Sequence, residues 1–361
     1  MYILIAILVF GFLIFIHELG HYIAARLCGV QIFEFAIGMG PKMLWYTSKK
    51  TGTVYSLRML PFGGFVSMLG ENPDADDVRP RPQTTPDGAP FDPSRSLANK
   101  PAWQRFIVNA AGATVNLLFG FLVMSILAAT LPLGSTTIAK MYTKEETGYS
   151  VSSADSGLMV GDTILSVAGK RVHIADEMLY QVMHKGSEPV TLEILRGGEK
   201  QEIMVEFPTL EESGITFGDV DFAVKREEST FGNVCKHAFY KCLYVVRMVW
   251  DSLIDLVSGK YSMDAVSGPV GTAGVISDAA KMGIANLAYI VVVISVNLGI
   301  FNLLPIPALD GSHVIISFFE MVTGVKVPTK VVAVMDTIGL MTLLALMVFI
   351  TGKDITKLFS R

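Results

Sequence analysis

The 361-residue sequence has few charged residues and few cysteines, and each shortage narrows the classes of protein it can belong to. Only 17% of the residues are charged whereas 51% are hydrophobic, and the mean hydropathy of +0.48 indicates a chain that lives in a lipid bilayer. The net charge of −4 is small for this length, which argues against nucleic acid as a partner. Three scattered cysteines cannot form a disulfide framework or a metal site with one another, so we expect structural thiols at Cys28, Cys235 and Cys242.

Long apolar runs are abundant. Four of them can cross a hydrocarbon layer of about 30 Å, which takes about 20 residues, and they lie at 1–24, 106–131, 286–309 and 331–351. The first has no basic segment before it, so we expect it to stay in the protein rather than be removed as a signal peptide. Asp336 near the start of the fourth run is expected at the membrane interface. The third run ends in two prolines, Pro305 and Pro307, which cannot continue a helix, so irregular backbone is predicted there at membrane depth.

The first apolar run carries three ionisable residues where a membrane helix should carry none. His17 and His21 lie one turn apart on one helical face, about 6 Å from each other, so both imidazoles can reach one ion. Glu18 points about 100° away, as in His-Glu-x-x-His zinc sites, where the glutamate polarises a water molecule. Buried core histidines beside a surface carboxylate are the alternative. Each ionisable group in a membrane costs about 2.5 to 3.5 kcal/mol, however, and this cost favours a metal site.

Two histidines leave a metal ion short of a third ligand, and Asp310 is the candidate. With four spans the first and third run in the same direction, and His17 and Asp310 both fall near the far end of their spans. The sequence therefore predicts Asp310 as the third ligand, with a fourth position open for water. A helix-capping or turn aspartate beside Gly311 is the competing interpretation. His313 either supports the site or lies at the membrane interface.

The stretches between the spans predict β-structure and one soluble domain. Residues 30–70 alternate aromatic and β-branched residues with glycine-rich turns and are predicted to form hairpins, in which Pro61 to Gly64 is either a tight turn or a functional edge strand. Residues 133–228 suit one small α+β domain, and residues 230–257 have the periodicity of an amphipathic helix. Without ligand-spaced partners, three further histidines are expected to be solvated: His173, His184 and His237.

Basic residues near the spans indicate the orientation of the chain. Arg26, Lys100 and Arg105 flank the segment 25–105, which places this segment in the cytoplasm and the soluble domain outside. Lys326 and Lys330 agree with this orientation, whereas the basic residues of the C-terminal tail do not. The rule therefore predicts a metal site near the cytoplasmic face.

The chain resembles the site-2 protease family of intramembrane zinc metalloproteases, in its bacterial branch with one extracytoplasmic PDZ domain. The resemblance covers nearly the whole chain. It rests on these motifs: His17-Glu-Leu-Gly-His21, Gly38-Met-Gly-Pro41, Leu60-Pro-Phe-Gly-Gly-Phe-Val66, Asn109-Ala-Ala-Gly-Ala-Thr-Val-Asn116, Ser267-Gly-Pro-Val-Gly271 and Asn302-Leu-Leu-Pro-Ile-Pro-Ala-Leu-Asp-Gly311.

The resemblance implies roles for residues along the chain. One Zn²⁺ per chain would be bound by His17, His21 and Asp310, with Glu18 as general base. The strand through Gly63, Gly64, Phe65 and Val66 would pair with an unwound substrate. Asn297 and Asn302 would contact the substrate backbone, and Asn116 would lie in the core near the site. Two motifs depart from the family pattern without loss of a ligand, since Gly112-Ala113 replaces Gly-Pro and Gly311-Ser312 replaces Gly-Gly.

Together these inferences predict a polytopic α-helical membrane protein of four spanning helices, a membrane-associated β-hairpin region and one extracytoplasmic PDZ-like domain. The predicted divisions are 1–131 with the β-region 25–105, 133–228, an amphipathic helix and linker 229–270, and 271–361. The expected activity is cleavage of transmembrane segments of single-span proteins in the bacterial inner membrane, such as anti-sigma factors or signal-peptide remnants, after their ectodomains are trimmed. The alternatives are a catalytically silent PDZ scaffold and an ion or proton carrier.

Overall fold

The chain divides into two compact units, Met1–Gly120 with Val249–Arg361, and Phe121–Met248. A computed structural model describes residues 2–71, 92–212, 215–259 and 268–359. Residues 72–91 of the predicted segment 25–105 lie outside the described residues, as do residues 260–267 of the predicted linker, which include Ser267.

The helices follow the apolar runs. In chain order they are α1 (Tyr2–Leu27), α2 (Ala102–Thr130), α3 (Lys144–Thr147), α4 (Ala175–Lys185), α5 (Phe231–Val257), α6 (Pro269–Met282), α7 (Ile284–Leu303), α8 (Asp310–Thr323) and α9 (Thr329–Phe359). Within the part of the chain that the structure describes, four of them are long and apolar enough to cross a membrane, over Leu4–Leu27, Ala102–Thr130, Ile284–Leu303 and Thr329–Asp354. The prediction of four spans is confirmed, and the chain is an integral membrane protein.

The third span ends earlier than its apolar run. Helix α7 stops at Leu303, Leu304 takes an extended conformation, and helix α8 begins at Asp310. Proline cannot donate the backbone hydrogen bond that a helix needs, so Pro305 and Pro307 confine the chain to an irregular turn between the two helices. The predicted interruption at membrane depth is thus present, but the predicted span 286–309 is six residues too long at its C-terminal end.

The strands form one sheet in the first unit and two in the second. They are β1 (Ile32–Thr47), β2 (Val54–Met68), β3 (Leu133–Met141), β4 (Thr163–Val167), β5 (Lys170–Arg171), β6 (Val190–Arg196), β7 (Glu199–Val205), β8 (Thr209–Glu212), β9 (Ile215–Gly218) and β10 (Phe222–Glu227). The larger sheet of the second unit has the order β10-β3-β4-β6-β7, with β5 paired to β4, and β8 pairs with β9.

Strands β1 and β2 each bend and pair with one another, which confirms the predicted hairpins. Their pairing is more complex than in a simple hairpin, because one segment of each strand has two partners. Residues 32–37 pair on one side with residues 64–68. On the other side, residues 34–37 pair with residues 54–57, which also pair with residues 44–47. The bend in β1 needs the left-handed backbone of Gly38 and Gly40 (φ +83° and +84°), which glycine adopts without steric cost. Among the described residues, the segment 64–68 pairs with a strand on one side only, so its outer edge carries no strand partner.

In the second unit, the prediction that three histidines are solvated is wrong for His237, whereas His173 and His184 are partly exposed. His237 is fully buried and lies 3.1 Å from a carboxylate oxygen of Glu227. His173 stacks on Tyr240 at 4.0 Å between ring centroids, and His184 stacks on Tyr180 at 5.6 Å. The reason is tertiary: residues of α5 pack against α4 and its preceding turn, a contact that sequence spacing does not reveal. The amphipathic helix predicted at 230–257 is present as α5.

Candidate metal centre and catalytic cavity

Three side chains from distant parts of the chain converge in the first unit. Nε2 of His17 and Nε2 of His21 lie 3.2 Å apart, and Oδ2 of Asp310 lies 2.9 Å from the first and 3.2 Å from the second. Both histidines are buried. The structure thus brings the three predicted ligands together, and among the described residues this is the one group of His, Cys, Asp and Glu with the geometry to hold a metal ion.

The separation of these atoms fits a zinc ion. Ligands at about 2.0 to 2.1 Å in a tetrahedron lie about 3.3 Å from one another, close to the 2.9 to 3.2 Å observed. Two imidazoles and one carboxylate form a donor set that zinc accepts, and three protein ligands leave a fourth position for water, as catalytic zinc sites do. The residues present therefore fit the ion that the sequence predicts.

The surroundings of both imidazoles support the same assignment. Nδ1 of His21 lies 2.8 Å from the carbonyl oxygen of Val108, so Nδ1 donates a proton there and Nε2 stays free to bind metal. The amide of Asn116 lies 3.2 Å from Nδ1 of His17, and its Oδ1 is buried with no hydrogen-bond partner. Because the two amide atoms exchange places by a flip, Asn116 can accept the Nδ1 proton of His17 in the same way. This accounts for the predicted core asparagine.

Close packing of α1 against α2 places the histidines. A Cβ atom at Gly20 would lie 2.6 Å from the carbonyl oxygen of Ala111, and one at Gly112 would overlap Nε2 of His21 and lie 2.7 Å from Nε2 of His17. Small residues at such crossings let two membrane helices approach closely. This role of Gly112 was not predicted from the sequence, although the Gly112-Ala113 pair inside an apolar run is a visible signal.

Asp310 reaches the histidines from the turn that ends α7. It is the first residue of α8, with Leu309 as the cap, so the capping interpretation is wrong and its carboxylate faces the imidazoles. A Cβ atom at Gly311 would collide with the backbone of Leu303 and Leu304, so only glycine allows the tight return of the chain. Ser312 stabilises it, because its Oγ donates a hydrogen bond of 2.8 Å to the carbonyl of Leu309. The Gly-Ser departure from the family pattern is therefore compatible with the turn.

Glu18 lies beside the open edge of β2. Its carboxylate interacts with the backbone amide of Val66, and a Cβ atom at Gly64 would lie 3.3 Å from its Cγ. Glu18 and the three candidate ligands line a cavity of about 750 Å³, together with Phe65 and Val66. The cavity continues along α8 and α9 and includes three residues that the sequence analysis did not connect with the site, Arg105, Glu320 and Asp336.

The predicted substrate-contacting residues occupy different places. Gly63 (φ +80°) and Gly64 lead into the edge segment of β2. Asn302 lies half-buried in the last turn of α7. Asn297 lies five residues earlier in that helix, and its Oδ1 is buried without a hydrogen-bond partner. Neither asparagine lines the cavity.

Ion pairs stabilise the β-sheet and connect α2 with α8 beside the cavity. Glu34 on β1 is hydrogen-bonded to Ser56 and Arg58 and ion-paired with Lys42. Burial raises the pKa of Glu34, but these partners outweigh burial and hold its pKa below the usual range. Arg105 of α2 forms an ion pair with Glu320 of α8, which also accepts a hydrogen bond of 2.7 Å from the backbone of Val327.

Two spaced histidines, a converging carboxylate and a nearby glutamate, in a protein with four spans, define a membrane-embedded zinc protease. The model of peptidase family M50 matches residues 5–346. A Clostridium perfringens protein whose name marks it provisionally as a zinc metalloprotease is 35% identical over 356 residues, or 98% of both chains. The regulator of sigma-W protease RasP of Bacillus subtilis is 28% identical over 423 residues, again 98% of both chains. The zinc metalloprotease RasP of Geobacillus kaustophilus is 30% identical, covering 98% of this chain and 97% of that one.

The chain therefore belongs to peptidase family M50, the site-2 protease family. It is a zinc-dependent protease of membrane proteins, as the resemblance implied.

Proposed function

We propose that this protein cleaves the transmembrane segments of single-span membrane proteins, with one zinc ion per chain at His17, His21 and Asp310. The convergence of these three side chains within 3.2 Å beside Glu18 carries the proposal. The name of the Bacillus subtilis relative, a regulator of sigma-W, supports anti-sigma factors as one substrate class. Signal-peptide remnants are the other class that we propose.

The chemistry follows from the positions of the residues. Bound zinc would polarise the scissile carbonyl and lower the pKa of a water molecule. Glu18 accepts the proton of that water and passes it to the leaving amine. Val108 and Asn116 hold the two imidazoles in the tautomer with Nε2 free.

A helical substrate has to unwind before its carbonyl can reach the metal, because a membrane helix hides its peptide groups in its own hydrogen bonds. We propose that the outer edge of β2, from Gly63 to Val66, pairs with the unwound segment and satisfies the groups so exposed. The open edge beside Glu18 supports this role. In the proposal Asn297 and Asn302 bind the substrate backbone further along, and the unpartnered Oδ1 of Asn297 is the observation in their favour.

The membrane arrangement belongs to the same proposal. Arg26, Lys100 and Arg105 support a cytoplasmic segment 25–105, a metal site near the cytoplasmic face of the bacterial inner membrane, and an extracytoplasmic domain over residues 133–228. A PDZ-like domain over residues 133–228 is supported by the sheet β10-β3-β4-β6-β7, in which β10 is an edge strand and α4 packs on β3 and β4. We propose that this domain admits substrates whose ectodomains have been trimmed.

The test is cleavage by the purified protein in lipid vesicles, with a panel of single-span membrane proteins as substrates. We expect products cut within the span by the wild-type protein and none by Glu18→Gln. A catalytically silent scaffold would bind the panel without cutting it. An ion or proton carrier would instead move charge across sealed vesicles, and electrogenic transport without cleavage would reject the protease.

A further inference from the structure

The fourth span carries an ionisable residue at a place where the bilayer should penalise it. Only 6% of the most apolar window of Thr329–Asp354 is buried inside the protein, although this helix is apolar and long enough to cross a membrane. Asp336 lies about two turns inside this helix. A carboxylate at membrane depth costs several kcal/mol unless it has partners, so its contacts indicate what it does.

Both oxygens of Asp336 contact residues beside the metal ligand. Oδ1 accepts a hydrogen bond of 3.2 Å from the backbone N–H of Ala308, and Oδ2 lies 3.2 Å from Nε2 of His313. Ala308 is two residues before Asp310 and His313 is three residues after it. The carboxylate of Asp336 therefore contacts both the irregular segment before Asp310 and the first turn of α8 after it. These two segments position Asp310 beside His17 and His21.

The turn that Asp336 contacts is strained. Ala308 has φ +71°, a left-handed conformation that is sterically unfavourable for a residue with a Cβ atom. Strained conformations of this kind persist where the surroundings enforce them. Asp336 supplies the acceptor for the N–H of the strained residue, and one turn further along α9 a Cβ atom at Gly339 would lie 2.6 Å from Cβ of Pro307. Helix α9 is thus fitted to the turn at two successive positions.

We propose that Asp336 is a positioning residue for the metal centre. It holds Ala308 in its left-handed conformation and anchors His313, and so fixes the carboxylate of Asp310 at its distance from the two imidazoles. The inference rests on the proposed function to the extent that Asp310 binds the metal. It also gives His313 a role in support of the site and places Asp336 in the catalytic cavity rather than only at a membrane interface.

Zinc affinity and kinetics of the full-length protein in lipid nanodiscs test the proposal. Loss of a group that orients a ligand typically lowers metal affinity or activity about 10- to 100-fold, and we expect a loss of this size for Asp336→Ala. The effect should fall on zinc affinity and kcat and leave KM unchanged, because Asp336 acts on the metal ligand rather than on the substrate. Asp336→Asn keeps an oxygen for Ala308 and should lie between the two. Asp278→Asn, the same chemical change at an exposed carboxylate of α6, is the control.

A rescue experiment separates positioning from a general effect on folding. Glycine adopts positive φ about as readily as negative φ, so Ala308→Gly should restore much of the zinc affinity lost in Asp336→Ala. Wild-type zinc affinity in Asp336→Ala overturns the proposal, and so does a loss that Ala308→Gly leaves unchanged. A wild-type protein that binds no zinc would instead reject the proposed function, so the two failures are distinguishable.

Discussion

At the scale of single residues, the metal centre depends on Gly112, because glycine has no Cβ atom. Position 112 lies so close to both imidazoles that any side chain there would overlap Nε2 of His21. Gly20 on α1 is packed just as closely against Ala111, so the two helices cross in backbone contact beside the histidines. The second span therefore forms one wall of the zinc site without supplying a ligand.

This contact predicts the effect of a single methyl group. Gly112→Ala should lower both zinc content and cleavage by about 10- to 100-fold, because the added carbon displaces the imidazoles that bind the ion. Zinc analysis of the purified variant beside a cleavage assay measures both effects. The matched control is Gly274→Ala in α6, where a Cβ atom would meet nothing within 4 Å. There alanine should stabilise the helix by about 0.5 to 1 kcal/mol, and a fully active Gly112→Ala would contradict the packing argument.

A second residue-scale prediction concerns the pH dependence of the second unit. Asp162 accepts hydrogen bonds from Nε and a terminal nitrogen of Arg196, both of 2.7 Å, and one of 2.9 Å from the backbone of Met159. Burial raises the pKa of Asp162, but these donors outweigh burial and lower the pKa below its usual value. A lowered folded-state pKa stabilises the fold above the unfolded pKa of about 3.9, and this contribution is lost as the pH falls through the folded value.

Hydrogen exchange of the β4 and β6 amides, corrected for intrinsic rates, measures this contribution. Asp162→Asn should lower their protection at pH 7 by about 1.5 to 3 kcal/mol, the usual range for hydrogen bonds to a charged group. The difference from wild type should begin to shrink below about pH 4, where the carboxyl group of Asp162 takes up a proton in the unfolded chain, and should be lost once the pH passes below its lowered folded-state pKa. Equal protection of the two proteins at pH 7 would show that the Arg196 pair contributes nothing.

Some residue roles could be predicted from sequence and others could not. His17, His21 and Glu18 are positioned by a single helix, so their spacing alone indicated a site. Asp310 required the number of spans as well, because it approaches from 289 residues away in the sequence. The burial of His237 and the contact of Asp336 with Ala308 depend on which helices pack together, and local sequence does not encode that choice.

At the scale of secondary-structure elements, the edge of β2 carries the proposal for substrate binding. Its segment 64–68 runs past Glu18 with its outer side open among the described residues. Val66→Pro removes one backbone donor from that edge, so it should slow cleavage of several substrates at least about tenfold, the effect of about 1.4 kcal/mol, with zinc still bound.

The variant Val66→Ala is the control for this prediction, since it trims the side chain and keeps the N–H. Rates and zinc contents of both variants should be measured on the same panel of substrates. Unchanged turnover by Val66→Pro would mean that the segment from Gly63 to Val66 is only a turn.

Strong local signals made several elements predictable. Apolar length gave the four spans, and Pro305 and Pro307 gave the interruption after α7. The short helix α8 was missed because it follows that interruption directly, and proline-rich sequence argues locally against a helix. The fold-back of β1 and β2 was missed because pairing of one segment with two partners is set by glycine bends and tertiary contacts rather than by alternation.

At the scale of the whole molecule, the account predicts that the size of a substrate's ectodomain controls cleavage. The proposed PDZ-like domain lies between the second and third spans, so a domain of this size outside the membrane would obstruct a bulky substrate. The intact protein should cut a single-span substrate with a trimmed ectodomain faster than the same substrate with a folded one.

Deletion of residues 136–226 separates exclusion from recruitment. If the domain excludes large substrates, the deletion should allow the untrimmed form to be cut. If the domain recruits substrates by peptide binding, the deletion should slow the cutting of both forms. Equal rates of the intact protein on both forms would reject the size filter.

The central claim is that His17, His21 and Asp310 bind a zinc ion on which Glu18 acts as general base. Zinc content and cleavage, measured on the same preparations of three proteins, test it most directly. The account predicts one zinc per chain and cleavage for the wild type, one zinc and no cleavage for Glu18→Gln, and loss of most zinc and most cleavage for Asp310→Asn. Cleavage at the wild-type rate by Glu18→Gln, or full zinc content in Asp310→Asn, would contradict it.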